Sequence, residues 1–245
     1  SVPLEMGSYR LRIKKKGFHE VLYPVSIGRG EHWDAMHPLR SRPTPLWLPP
    51  LGTLEENECY VPAGWFWSGG DTTATNSLPR NRVWIDDLII KRFPVTNREY
   101  IAYLNNLVST GREAEALKQV PRERTATGLL GEMIYGRDEQ GKFMLVPDAD
   151  GDLWELDWPV CMVDWYNATA YSRWLASDTT LPWRLPEELE WEKSARGVDG
   201  RFFPWGDGFD ATRGCMRDSK KGHRLPSVVE SFPLDESPYG VRGMA

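Results

Sequence analysis

The sequence predicts an α+β fold with little regular secondary structure, carrying a small antiparallel β unit at its N-terminal end. Three observations predict it. The chain of 245 residues holds 19 prolines and 22 glycines, a composition of turns. It also holds 12 tryptophans, so large flat rings whose N–H groups need partners fill the core. Only three stretches repeat apolar residues at helical spacing, and all are short.

The N-terminal unit comes first. Tyr9, Leu11 and Ile13 alternate with Arg10, Arg12 and Lys14, and Val21, Tyr23 and Val25 alternate again after the turn at Gly17. That is an antiparallel pair over residues 1–34, too small to fold alone, and expected to complete a sandwich with strands upstream. Residues 35–58 hold five prolines and no periodicity. They read as an extended linker, pinned by Trp47 and the leucines. Residues 59–245 form the main domain.

Within it, "CYVPAGWFWSGG" reads as a strand closed by a Gly-Gly turn, and "RVWIDDLIIKRF" as a pair of short strands. A helix over 97–108 opens with Thr96 as cap and Glu99 closing a capping box. Tyr100, Ile101, Leu104, Leu107 and Val108 make its buried stripe, and Gly111 ends it. A second helix over 165–177 follows Asp164, with Ala168, Tyr171, Trp174 and Leu175 at helical spacing. A third covers 187–196: Pro186 suits its first turn, Glu187 and Glu188 suit the positive end of its dipole, and Gly197 stops it. The stretches 112–157 and 206–238 remain polar, long and irregular.

Composition excludes several functions. The net charge is −5, and the only basic run is Arg12 to Lys16, so nucleic acid is not the expected partner. No apolar run approaches a membrane span, and the first residues lack the apolar stretch of a signal peptide. The chain begins without Met, as a piece of a longer protein would. Cys59, Cys161 and Cys215 are odd in number and far apart, which argues against a disulfide scaffold or a zinc site and for reduced thiols in the cytoplasm.

The remaining motifs read as structure. "GRGEHWD" and "WSGGD" are turns, because no phosphate-binding lysine on a helix follows either. Asp148, Asp150 and Asp152 are spaced like the first EF-hand ligands, yet Leu153 stands where glycine is required and Pro159 where glutamate is. This is a polar turn. No histidine lies at ligand spacing from another, and none is assigned to a metal.

Five stretches carry a resemblance: "FPVTNREYIAYLNNL", "WPVCMVDWYNATAYSRWL", "WRLPEELEWEKSARG", "FFPWGD" and "SPYGVRGMA". In this order and spacing, over about residues 59–245, the chain resembles the formylglycine-generating enzyme, or sulfatase-modifying factor, family. The resemblance implies that family's variant of the C-type lectin fold. More weakly, residues 3–34 resemble the end of a PEGA-type β domain, and this pairing resembles the C-terminal part of certain bacterial Ser/Thr kinases. In such a fold a short helix is expected to be locked by rings, here Trp191, Phe203 and Trp205.

The resemblance also implies chemistry. The family oxidises a substrate cysteine with a copper-holding cysteine pair, which has no counterpart up to Ala245, so copper requires a further segment. Cys59 and Cys161 are expected to be small buried hydrophobes. Cys215, between Arg213 and Arg217, is a single thiol. Calcium sites are also implied, but the loop after "PWGD" has no Asn and leaves only Asp207, Asp210 and Asp218. The expected function is therefore binding or sensing of a protein or peptide ligand, without catalytic residues. Two alternatives stand beside it: an oxidase whose cysteine segment lies elsewhere, and a diversity-generating-retroelement variable protein with lectin-type ligand binding. The family's substrate groove runs over its loop-rich face, which places partner contacts on the two long loops, with Arg213, Arg217 and Asp218 favoured.

Overall fold

The computed structural model describes residues 3–33, 35–124, 130–148, 151–179, 181–219 and 225–245. Asp150, Lys220, Lys221 and His223 lie outside them. In chain order the elements are β1 (Gly7–Ile13), β2 (Val21–Ile27), β3 (Glu58–Val61), β4 (Gly64–Ser68), β5 (Asn81–Ile85), β6 (Leu88–Lys91), α1 (Asn97–Ser109), α2 (Glu113–Gln119), β7 (Arg122–Arg124), β8 (Leu130–Met133), β9 (Tyr135–Arg137), β10 (Phe143–Leu145), α3 (Trp165–Asp178) and α4 (Glu188–Arg196). They fall into two compact units. One comprises Ser1–Phe93, Pro186–Arg224 and Phe232–Ala245, and the other Pro94–Leu185 and Leu225–Ser231.

In the first unit β1 and β2 pair antiparallel from Gly7↔Ile27 to Ile13↔Val21. Gly17 sits in the turn between them at φ +85°. Val21 and Val25 of β2 are buried, whereas most of β1 faces solvent. The proline-rich segment runs back along the turn: His19 N–H donates to Pro49 O (2.8 Å) and Leu51 N–H to Gly17 O (3.0 Å). Trp47 packs edge-on against Tyr60 at 5.1 Å. Leu39 and Leu51 do not pin the segment as expected, being 89% and 63% exposed. Leu46, Leu48 and Leu54 are half-buried, and backbone hydrogen bonds and the buried Pro49 hold the segment with them.

β3 pairs with β6, and β4 with β5. Phe66 is buried between the half-buried Trp65 and Trp67, the period of a strand with one covered face. The Gly-Gly turn is obligatory. Gly69 and Gly70 lie at φ +67° and +83°, and a Cβ on Gly69 would stand 2.5 Å from Leu78 O. Cys59, Val61, Tyr239 and Val241 make a small core, with Leu88, Ile90 and Met244 against it.

In the second unit α1 starts as its sequence dictates. Thr96 Oγ1 accepts from Glu99 N–H, and Glu99 Oε2 accepts from Thr96 N–H (2.8 Å). Asp164 and Asn167 form the same box on α3. The core joins Tyr100, Tyr103, Leu104 and Leu107 of α1 to Tyr171 of α3, with Trp174 packed against it. The Tyr100 ring stacks on Tyr171 at 5.6 Å, so rings carry this interface. Burial pushes the hydroxyls of Tyr100, Tyr135 and Tyr171 far above the usual phenol value.

Residues 112–157 are not the irregular loop expected from the sequence. They hold α2 and four short strands, and Ala116, Val120, Ile134, Tyr135 and Phe143 from them enter the core. α2 buries a single residue and the strands run three or four residues, so no period is long enough to show in sequence. The acidic stretch before Trp158 is the polar turn it reads as. Asp148 accepts from Asp152 N–H (2.8 Å) and Trp154 Nε1–H (2.9 Å), and Gly151 takes φ +84°.

Candidate functional site

The site grows out of α4. Glu187 caps the helix in a box with Glu190, and Gly197 at φ +74° ends it, where a Cβ would lie 2.6 Å from Pro238. One turn of this helix carries three charges that act inward. Glu192 accepts from Ser68 Oγ–H (2.6 Å) and Gly69 N–H (2.8 Å) and pairs with Arg196. Arg196 donates in turn to the carbonyls of Arg201, Gly69 and Gly200. Lys193 is 1% exposed, and its Nζ donates to the carbonyls of Pro62 (2.7 Å), Gly64 (3.1 Å) and Ile85 (3.2 Å). Burial pulls the ammonium down to about 7, against the opposing pull of Asp87 and Asp86.

The aromatic lock expected for α4 is therefore corrected. Trp191 is 45% exposed. Phe203 and Trp205 are half-buried and stack on each other, centroids 5.2 Å apart and planes 5° from parallel. Charged side chains hold the helix, because the groups that face Glu192, Lys193 and Arg196 are backbone carbonyls, a backbone N–H and a hydroxyl that need hydrogen-bond partners.

Past Gly197 the chain lines a cleft of about 180 Å³. Tyr9, Arg10, Asp199, Arg201, Trp205 and Glu236 are among its walls. Arg201 grips Asp199 through two parallel bonds, Nε to Oδ1 (2.9 Å) and Nη2 to Oδ2 (2.7 Å), and Nη1 donates to Pro204 O (3.2 Å). Burial by itself would raise the Asp199 carboxyl. Hydrogen bonds from Arg201 and Ser8 outweigh it and hold the group below the usual carboxylate value. At the rim Arg10 lies 3.7 Å from Glu236, which also takes two bonds from Arg242 (2.9 and 3.1 Å). Trp205 forms the flat wall, its Nε1–H held by Gly208 O (2.9 Å).

The residues favoured from the sequence lie on the loop that continues from this wall. Arg213 Nε–H donates to Asp210 Oδ2 (3.1 Å), while Arg217 and Asp218 are exposed. The loop is ordered by its own bonds: Met216 N–H donates to Ser219 Oγ, and Ser219 Oγ–H to Ala211 O. Asp210 accepts from Thr212 and Arg213, and Asp207 accepts from Phe202 N–H. Cys59 is buried, as expected, and burial pushes its thiol up to about 11. Cys161 is only half-buried, and Cys215 is exposed. Among the described residues no three His, Cys, Asp or Glu gather as metal ligands would. Nor is any helix long and apolar enough to cross a membrane.

Sequence reasoning missed Lys193, Glu192 and Arg196. One signal was available: Lys193 follows Leu189 by four residues and so falls on the inward stripe of α4. The cleft gives no such signal, since its walls come from four separate stretches of chain.

Residues 50–245 match the family model described as a Sulfatase-modifying factor enzyme 1-like domain. The chain belongs to this family. Inactive C-alpha-formylglycine-generating enzyme 2 of Bos taurus is 28% identical over 206 residues, covering 76% of this chain and 66% of that protein. Formylglycine-generating enzyme of Bos taurus is 32% identical over 165 residues, covering 60% of this chain and 41% of that protein. The chain thus spans less than two thirds of the length of either relative. Among solved structures, that of PvdO from Pseudomonas aeruginosa is similar with a TM-score of 0.52 and 25% identity, over 76% of this chain and 66% of that one. The mixed architecture of four helices and short antiparallel strands is therefore that of the family fold.

Proposed function

We propose that this chain is a binding module of the family, taking a protein or peptide segment in the cleft walled by Arg201, Asp199 and Trp205. The observation that carries the reading is the Arg201–Asp199 pair. It is a pre-formed, partly buried charge fork that lines the same open cleft as the Trp205 ring. Such a site orients hydrogen-bonding groups without activating them. The loop of Arg213, Arg217 and Asp218, continuing from Trp205, supplies the outer contacts. That one relative is named as inactive supports the same reading.

The test is a random peptide library panned on the purified chain. Enriched peptides are expected to lose binding at least tenfold to Trp205→Ala and to Arg201→Ala. The melting temperature of Trp205→Ala should fall only slightly, because the change removes one ring stack and one hydrogen bond, about 1–2 kcal/mol. Equal binding to both variants would refute the cleft. Incubation with Cu(I) and a cysteine-bearing sulfatase-type peptide is expected to give no aldehyde by mass spectrometry, and aldehyde product would replace the binding reading with an oxidase.

A further inference from the structure

We infer that the open edge of β1 is a strand-addition site for an acidic extended segment. This rests on the binding-module reading, because β1 contributes Tyr9 and Arg10 to the cleft and so continues it as a surface. β1 and β2 form a two-stranded sheet. In an antiparallel pair every second residue directs its N–H and C=O away from the partner. Half of the backbone groups of Gly7–Ile13 therefore face outward, and among the described residues they meet no other strand. The strand is regular over all seven register pairs, with no bulge to twist the edge aside. Ser8, Arg10, Leu11 and Arg12 are exposed.

Charge selects the occupant. Arg10, Arg12, Lys14, Lys15 and Lys16 crowd this strand and its turn, in a chain whose net charge is −5. Their acidic neighbours are few. Arg12 (3.6 Å) and Lys14 (2.7 Å) share Glu20, and Arg10 shares Glu236 with Arg242. Lys15 lies over the ring of Phe18 at 4.4 Å. A positive surplus is left along the edge. A second copy pairing through the same edge would bring these like-charged rows together, which is unfavourable. A partner strand bearing Asp or Glu at alternate positions gains ladder hydrogen bonds and neutralises the surplus. Main-chain bonds then give affinity, and the alternate carboxylates give selectivity.

The test uses the full chain and a capped peptide alternating glutamate and valine. Amide hydrogen exchange should show new protection at alternate residues of 7–13. Affinity should fall about tenfold for Arg12→Ala with Lys14→Ala, two charges outside the cleft. A peptide N-methylated at alternate positions, and one with lysine for glutamate, should both fail to bind. Equal binding of the N-methylated or lysine peptide, or protection that spares 7–13, would overturn the inference. So would a free chain that already protects this edge as a dimer in light scattering. If library peptides depend on Trp205 and Arg201 while the β1 tests fail, the cleft reading stands and the strand-addition inference falls. If the reverse holds, the cleft reading is the one that fails.

Discussion

Replacing Lys193 with alanine is expected to cost about 3–5 kcal/mol, the range of a large buried side chain lost together with its hydrogen bonds. The ammonium ties the carbonyls of Pro62, Gly64 and Ile85 to α4, so its loss frees three acceptors and opens a cavity at once. Urea unfolding followed by fluorescence measures this directly. A change under about 1 kcal/mol would mean that water replaces the amine at no cost. The group also has a pH signature. Burial lowers it to about 7 when folded, against 10.5 for the ordinary side chain. Below 7 both states carry the proton. Between 7 and 10.5 the unfolded chain keeps it and the folded chain has released it, so this group adds stability as pH rises through that window. The stability difference between the natural chain and Lys193→Met should therefore grow from pH 7 toward 10. The difference, rather than either curve alone, isolates the amine from the tyrosines. Those hold their protons more tightly when folded, and so take stability away above the ordinary phenol value. Parallel stability curves would show that Lys193 stays charged throughout.

Asn97→Ala is expected to cost roughly 2–4 kcal/mol, because it strands two buried groups. Asn97 is fully buried. Its Oδ1 accepts from the Tyr135 hydroxyl (2.6 Å), and its Nδ2–H donates to Glu155 O (2.9 Å). Its own N–H donates to Trp158 O (2.9 Å), so a residue at the first turn of α1 also holds the chain entering α3. Tyr135→Phe removes one of these bonds and should cost about 1 kcal/mol. The double variant should cost less than the two singles added, because removing both partners leaves fewer orphaned groups. Strict additivity in thermal unfolding would separate the two residues into independent sites.

Much of the scaffold was legible in the sequence, and residue by residue the reason is locality. Thr96 and Glu99, Asp164, Gly111, Gly197 and the Gly69–Gly70 turn act on backbone within a few residues of themselves. Their chemistry is complete in a short window, and the structure shows each in its expected place. The β1–β2 pair follows for the same reason, since alternation and a glycine turn are neighbours in the chain. The stretch 112–157 was not legible. Each of its elements buries one or two residues, and a single Ala116 or Tyr135 has no period. The aromatic lock on α4 failed differently. A short helix with rings near it in sequence does not say which way each ring faces, and Trp191 faces solvent at 45% exposure.

The sequence by itself determined the family, the β1–β2 pair, the three helices α1, α3 and α4 with their caps and stops, and the charge of the β1 edge. Each of these depends on residue types at fixed short spacing, which the linear chain already holds. Only the tertiary structure decided that Lys193 would meet carbonyls from residues 62, 64 and 85, and that Arg201 and Asp199 would share a cleft with Tyr9 and Glu236. The Lys193 contacts and the meeting with Tyr9 join positions more than a hundred residues apart, and Glu236 comes from a separate stretch as well. Their partners are backbone oxygens and ordinary polar side chains, which carry no distinguishing mark in a sequence. What makes them specific is burial: a carbonyl becomes a site for a lysine only once packing has removed the water that would otherwise satisfy both.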